Sequence, residues 1–340
     1  MEQTQDAVIL EETPERKRSR KRKELHENFK GWMFLLPALI LLAVFTFYPI
    51  INTFFMAFRN GYNSAAANKI PLFSSKLYAG STTPWGIENF KNAFMDTKFK
   101  ISLANTFIFA IFEVPLGLLI ALLIAVLLKS ITKFNKAYQT VLFLPYLTNA
   151  LAIGSVFMIM FQVQKFGNSD ADISWGLINN LLHTKIYWTS TDAPMWAMRT
   201  VVIVYGIWSG LPFKILILYG ALESVSKQYY DAAKIDGASK WTTLWKVTVP
   251  LISPMLAYLF ITGLIGGFKI YTSVVGIYGP GMSPAKNGGN FEMGTIVGLI
   301  YSYIEESKLG IASAASLILF AIIMVITFIN THFIKKRVHY

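Results

Sequence analysis

Six long apolar stretches alternate with polar segments along the chain: residues 32–58, 101–128, 138–161, 196–222, 251–277 and 309–334. At about 1.5 Å of rise per residue each is long enough, as a helix, to cross the ~30 Å hydrocarbon core of a bilayer. Helix is the expected form because lipid offers backbone polar groups no other partner. The pattern predicts an all-α polytopic membrane protein with six transmembrane helices and both termini on one side. The first stretch is too long for a signal-peptide core and no small-residue cleavage site follows it, so it reads as an uncleaved span. Between the spans, residues 88–100 place Phe90, Phe94 and Phe99 near one helical face, which predicts a short amphipathic helix at the outer interface. Segments 61–83 and 279–290 read as irregular, turn-forming loops.

Composition agrees with lipid as the solvent. The 340 residues are 54% hydrophobic and 15% charged, against about 25% charged in soluble domains, and the mean hydropathy is +0.46. Absence of cysteine excludes thiol catalysis, disulfides and thiolate metal sites. The net charge of +12 leaves nucleic acid, anionic lipid and membrane topology open until the charges are placed. Of the 31 Lys and Arg, 18 lie in segments 1–30, 129–137, 223–250 and 335–340, and 10 lie in the longer segments 59–100, 162–195 and 278–308. The positive-inside rule then favours both termini in the cytoplasm, N-in/C-in. Residues 1–30 read as a basic cytoplasmic tail, expected to be disordered, ahead of a transmembrane domain over 31–336. The basic run at 15–23 has no aromatic interleaving or recognition fold, so no nucleic-acid partner is expected.

Catalytic signatures are missing. No Gly-x-x-x-x-Gly-Lys-Ser/Thr phosphate loop and no Gly-x-Ser-x-Gly elbow occurs. His26, His183, His332 and His339 are not spaced like a metal site. No metal and no cofactor is expected on this chain. A transporter, channel or scaffold subunit remains, and active transport would draw its energy from another chain or an ion gradient. An autonomous ion-coupled carrier needs buried carboxylates on several spans, whereas Glu113 alone lies well inside one.

The inner segment between the fourth and fifth spans, 224–250, is the informative one. Residues 226–239 form a plausible helix that Gly237 can end in the left-handed conformation. Trp241, Leu244, Trp245 and Val247 give a second apolar stripe, and Pro250 opens the fifth span. Two readings fit: a compact helix–turn–helix below the membrane, or a simple membrane-parallel loop.

Here the chain resembles a known family. Asp231-Ala232-Ala233, three residues, Gly237, nine residues and Val247-x-Val249-Pro250 is similar to the Glu-Ala-Ala-x3-Gly-x9-Ile-x-Leu-Pro motif of the membrane subunits of binding-protein-dependent ABC importers. The run Ile235-Asp236-Gly237-Ala238 resembles the carbohydrate branch (maltose, lactose, multiple-sugar and glycerol-3-phosphate permeases). WGIENF at 85–90, FLPYL at 143–147, GLINNLL at 176–182 and LGIASAASLIL at 309–319 support it over about residues 30–336. The resemblance implies the type I ABC importer permease fold with a cytoplasmic coupling helix, and a place in the bacterial plasma membrane. It places Asp231, Ala232, Ala233, Asp236, Gly237 and Pro250 at or near a separate ATPase subunit. It implies two ATP-binding subunits holding ATP and Mg, a second homologous permease subunit and an extracellular sugar-binding protein. By position in related permeases it points to Trp208, Gly210, Phe213, Gly267, Phe268, Lys269, Ile270 and Tyr271 as the sugar pathway, whose aromatic faces suit sugar rings. A polyol, glycerol-3-phosphate or an acidic sugar is the alternative cargo. Lys269 departs from the family pattern. An intramembrane lysine requires a partner or water, and three readings stay open: an ion pair with Glu113, a contact to an acidic sugar, or solvation in an aqueous cavity.

Overall fold

In the computed structural model, which describes residues 14–63, 72–74, 76–77, 83–131, 133–165, 173–284 and 291–335, helix begins at Pro14. Residues 1–55 and 56–340 form two compact units. The first contains α1 (Pro14–Leu42), a π-helical turn (Ala43–Phe47) and the start of α2 (Tyr48–Phe58). Residues 14–30, expected to be unstructured, are therefore helical. Their Glu, Lys and Arg are strong helix formers, and a helix already nucleated by the apolar segment extends through them at little cost.

The second unit is a bundle. After α2 come α3 (Glu88–Met95) and α4 (Thr97–Ser130). The amphipathic helix expected over 88–100 is thus two helices. Asp96 stops α3 in an extended conformation and caps α4, its carboxylate accepting from the Lys98 N–H at 2.8 Å. Phe94 and Phe99 still meet across the break, edge to face at 5.3 Å. Then follow α5 (Asn135–Leu147), α6 (Ala150–Phe161), a two-stranded antiparallel hairpin β1–β2 (Val163–Lys165 with Ile173–Trp175), α7 (Leu177–Leu182) and α8 (Met195–Ser224). The hairpin is the element an all-α reading misses; three-residue strands are too short to show a period.

The inner segment forms α9 (Lys227–Ile235), α10 (Lys240–Thr243), a second π turn (Leu244–Thr248) and α11 (Val249–Leu251). The chain continues through α12 (Ser253–Gly267), α13 (Thr272–Tyr278), α14 (Ile296–Glu305) and α15 (Leu309–Lys335). Both π turns end two residues before a proline, Pro49 and Pro250. Proline brings no N–H to the ladder, so the preceding turn is free to widen.

Among the described residues, four helical stretches are long and apolar enough to cross a membrane: Glu27–Phe58, Thr97–Ser130, Met195–Ser224 and Leu309–His332. The other two expected spans are bent. α5 and α6 meet at 95°, and the α10–α11 segment meets α12 at 72°. At the first bend Thr148 and Asn149 are extended, and the Asn149 side chain caps α6 by accepting from Leu151 and Ala152 N–H. The fifth stretch breaks again at 268–271, between α12 and α13.

Buried polar side chains tie loops to helix ends. Asn89 on α3 is fully buried and donates to the carbonyls of Ala57 at 2.9 Å and Arg59 at 2.8 Å, and accepts from Gly61 N–H at 3.3 Å. It thereby satisfies carbonyls that the end of α2 leaves without helical partners. Arg59, also fully buried, donates to Lys76 and Pro84 carbonyls and lies over the Trp85 ring. Asn179 on α7 gathers donors from Thr184, Ile186 and Trp188 on one oxygen. The loops at 61–83 and 279–290 lie partly outside the described residues.

An Asn89→Ala change is expected to lower stability by roughly 3 kcal/mol, because the buried groups it serves are left unpaired at ~1 kcal/mol or more each. Thermal unfolding of the purified protein in detergent measures it. A loss under about 0.5 kcal/mol, typical of an innocuous surface change, would show that Asn89 does not hold this corner.

Candidate functional site

The inner hook carries the expected motif. Ser226 caps α9 by accepting from Gln228 N–H. At the other end Ala238 N–H bonds the Ala233 carbonyl at 2.9 Å and Gly237 N–H bonds that of Lys234 at 3.1 Å. This paired closure requires a left-handed residue, and Gly237 supplies it with φ +68°. Ser239 then caps α10. The segment is therefore a helix–turn–helix and not an irregular loop.

The faces of α9 divide the motif. Ala232, Ile235, Asp236 and Gly237 are exposed. Ile235 is 87% exposed, an extreme value for an isoleucine. Ala233, expected at or near the interface, is buried. Asp231 is exposed but lines a groove of about 440 Å³ on the chain's own side, with Tyr230, Lys234, Leu222 and Lys129. The α-helical period accounts for the split: positions 232, 235 and 236 share one stripe, and 230 and 233 turn inward. Ile235 was missed as a site residue; its signal was an apolar side chain beside the Asp-Gly that ends the helix. Pro250 occupies the first turn of α11.

Within the bundle α4 and α8 run together along a seam of small residues, including Ala110, Gly117, Ala121 and Ala125 on α4 and Ala197, Gly206 and Ala221 on α8. Small side chains allow the close backbone approach that membrane helices use in place of hydrophobic driving force. In the middle of this seam sit Glu113 and Lys214, each the other's electrostatic partner. Glu113 packs where a Cβ on Gly206 would be, and the Lys214 ammonium lies 2.7 Å from where one on Gly117 would be. Glycine is needed at both places because any side chain would displace a charge. The Glu113 Oε2 atom is buried with no hydrogen bond among the described residues.

This corrects the expected Glu113–Lys269 pair. Equal depth was inferred from helical rise, but helix α12 ends at Gly267. Lys269 sits in the turn that follows, its N–H bonded to the Gly266 carbonyl at 2.9 Å, and it is exposed. The third basic residue within the spans, Arg199, donates to Asn105 Oδ1 at 3.0 Å. Asn105 in turn donates to the Glu292 and Gly294 carbonyls at 2.8 and 3.0 Å, so Arg199 belongs to the outer closure of the bundle.

The expected pathway residues do not form one cluster. Phe268 is buried, edge to face with Phe107 at 5.0 Å. Gly267 packs against Ala110, where a Cβ would come within 3.1 Å of its Cα. Trp208 lies against Phe157 at 5.4 Å, and Phe213 stacks on Tyr146 at 6.1 Å. Gly210 borders the Lys214 ammonium, and Ile270 packs against the core. Tyr271 packs against the same core as Phe268, Trp208 and Ile270. It stacks on Tyr301 at 4.5 Å and opens on a cavity of about 230 Å³ with Lys98, Ser302 and Glu305. Tyr301 and Glu305 come from α14, which sequence reading left unassigned.

The sequence profile of the binding-protein-dependent transport system inner membrane components matches residues 113–339. The chain belongs to this family. Its relatives include the arabinooligosaccharides transport system permease protein AraP of Halalkalibacterium halodurans, 28% identical over 87% of this chain and 84% of that protein. The lactose transport system permease protein LacF of Rhizobium radiobacter is 24% identical over 94% and 98%. Among solved structures, a chain of a bacterial ABC transporter that imports the acidic polysaccharide alginate shares the fold. It superposes with a TM-score of 0.71 at 20% identity, covering 93% of this chain and 99% of that one. The matched span includes both Glu113 and the α9 hook.

Removing one member of the buried pair leaves the other uncompensated. Glu113→Met and Lys214→Met are each expected to cost about 3–5 kcal/mol, and the double variant distinctly less than their sum. Thermal midpoints of the four proteins in detergent close the cycle. Strict additivity would show that the two charges do not interact.

Proposed function

We propose that this chain is a translocation subunit of an ATP-driven sugar importer, spanning the membrane six times with both termini inside. The observation that carries the reading is the α9 hook, a rigidly capped helix exposing Ala232, Ile235 and Asp236 at the position of the family's loop motif. The relatives named as sugar permeases support a carbohydrate cargo. The bent pairs α5–α6 and α10–α12 count as single spans in this topology, and 18 of the 31 basic residues then face the cytoplasm. The spanning domain over 31–336 is preceded by the basic segment 1–30 on the inner side.

The mechanism follows from the geometry. A separate ATP-binding subunit, which holds ATP and Mg, receives α9. Two such subunits close on ATP and push the hook. Because α9 joins the end of α8 through two residues and the α10–α12 segment through four, displacement passes to the spans that frame the pathway. A homologous permease completes the pathway, and an extracellular binding protein delivers the sugar to the outer loops. Tyr271 and Tyr301 offer stacked aromatic faces to a sugar ring there, and Lys269 is solvated in the pathway. This chain itself catalyses nothing.

Ile235→Asp is expected to weaken ATPase docking about thirty-fold, the ~2 kcal/mol of an interface hot spot, with no change in the thermal midpoint of the isolated subunit. ATP hydrolysis stimulated by binding protein and sugar measures it; unchanged stimulation would remove α9 as the coupling element. Topology is tested separately. The chain has no cysteine, so Ser239→Cys and Asp192→Cys give clean single probes. A membrane-impermeant maleimide should label Asp192→Cys on intact cells and Ser239→Cys only after lysis.

A further inference from the structure

The groove behind α9 has a chemistry that docking to an ATPase does not use. Its volume is about 440 Å³ and its wall carries four lysines, Lys129, Lys227, Lys234 and Lys240, against one carboxylate, Asp231. Lys227, Lys234 and Lys240 are exposed. Lys129 is drawn inward, donating to the Leu222 carbonyl at 2.5 Å and lying 4.9 Å from the Tyr230 ring centroid. The floor is apolar, with Val126, Leu222 and Leu244. Lys129 and Leu222 stand at the last turns of α4 and α8, so the groove opens where the spans leave the hydrocarbon. Positive heads above an apolar floor at that depth fit one kind of ligand, an anion bearing acyl chains.

We propose that the groove binds the phosphodiester headgroup of an anionic phospholipid from the adjoining leaflet. The headgroup lies between Lys227 and Lys240, which come from the two arms of the hook, and the chains run down past Val126. One lipid then braces α9 against the ends of α4 and α8, making the hook's stiffness depend on membrane composition. The proposal rests on the orientation given above only for which leaflet supplies the lipid.

The test is native mass spectrometry of the assembled importer, purified from membranes and exchanged into nanodiscs of phosphatidylcholine with and without phosphatidylglycerol. The wild type is expected to retain phosphatidylglycerol. Lys227→Gln with Lys240→Gln should hold it about thirty-fold more weakly, at ~1 kcal/mol for each lysine near the headgroup. Lys227→Arg with Lys240→Arg should retain it. Both positions are exposed, so folding is not at stake. Equal retention by the Gln pair overturns the proposal, as does equal competition by inorganic phosphate, which would make the site one for free phosphate. Retention by the permease subunits that vanishes when the ATPase assembles would give the groove to the ATPase and also overturn it. None of these outcomes depends on the cysteine labelling that tests topology, so the two readings fail separately.

Discussion

A carboxyl group and an amine set side by side in one helix seam, Glu113 of α4 and Lys214 of α8, constrain the register of these two helices. Taking a carboxylate and an ammonium out of water costs several kcal/mol each, and only their mutual attraction in a poorly polarisable interior offsets it. α4 and α8 must therefore hold a fixed register. A one-residue slip would turn Glu113 or Lys214 out of the seam toward lipid, and a side chain at Gly206 or Gly117 would force the charges away. Small-residue packing alone is tolerant of sliding; the charge pair removes that tolerance. The rest of the bundle is arranged around this pair of helices, with α12 against the same face of α4 through Gly263, Gly267 and Val114.

The ends of the bundle are set by a different device. Where helices must stop, asparagine or aspartate takes over the orphaned backbone groups: Asn89 at the end of α2, Asp96 and Asn149 at the starts of α4 and α6, and Asn105 on the loop at Glu292 and Gly294. Asp96 does two jobs, since Tyr303 on α14 donates to its second oxygen at 2.5 Å. Burial and that carboxylate push the Tyr303 phenol above the ordinary tyrosine range, so it remains a donor. The end of α2 and the start of α4 are thus held by local polar contacts, and the bend between α5 and α6 falls at the extended residues Thr148 and Asn149.

Which parts were legible in the sequence follows from the range of the forces involved. Hydropathy is additive over a window, so the apolar stretches and the all-helical character were plain. Capping is local, so the end of α9 at Gly237 was readable from the residue itself. The break at Phe268–Tyr271 was not, because every residue there is compatible with helix; packing of α12 and α13 on different neighbours decides it. The partner of Glu113 was misread for the same reason. Depth along a span predicts proximity only if both spans are continuous, and α12 ends two residues short of Lys269. The eight pathway residues were chosen by position in other permeases, and position does not say which face a side chain takes. Trp208, Phe213 and Phe268 pack against aromatic neighbours, while Tyr271 meets Tyr301 from an outer helix with no motif.

The fate of the three basic residues within the spans completes the argument. Each met the requirement that a charge in hydrocarbon find a partner or water, but by a different route. Arg199 bonds a neutral amide that also closes the outer loop. Lys214 has a carboxylate across the tightest seam. Lys269 is exposed beside the one helix break that sits next to Tyr271. Two of the three are thereby spent on holding the bundle together. The third is exposed in the break that precedes Tyr271, and a break in a membrane helix is where backbone groups become available to something other than the helix itself. An interrupted helix, an unburied cation and stacked aromatic faces therefore come together at 268–271.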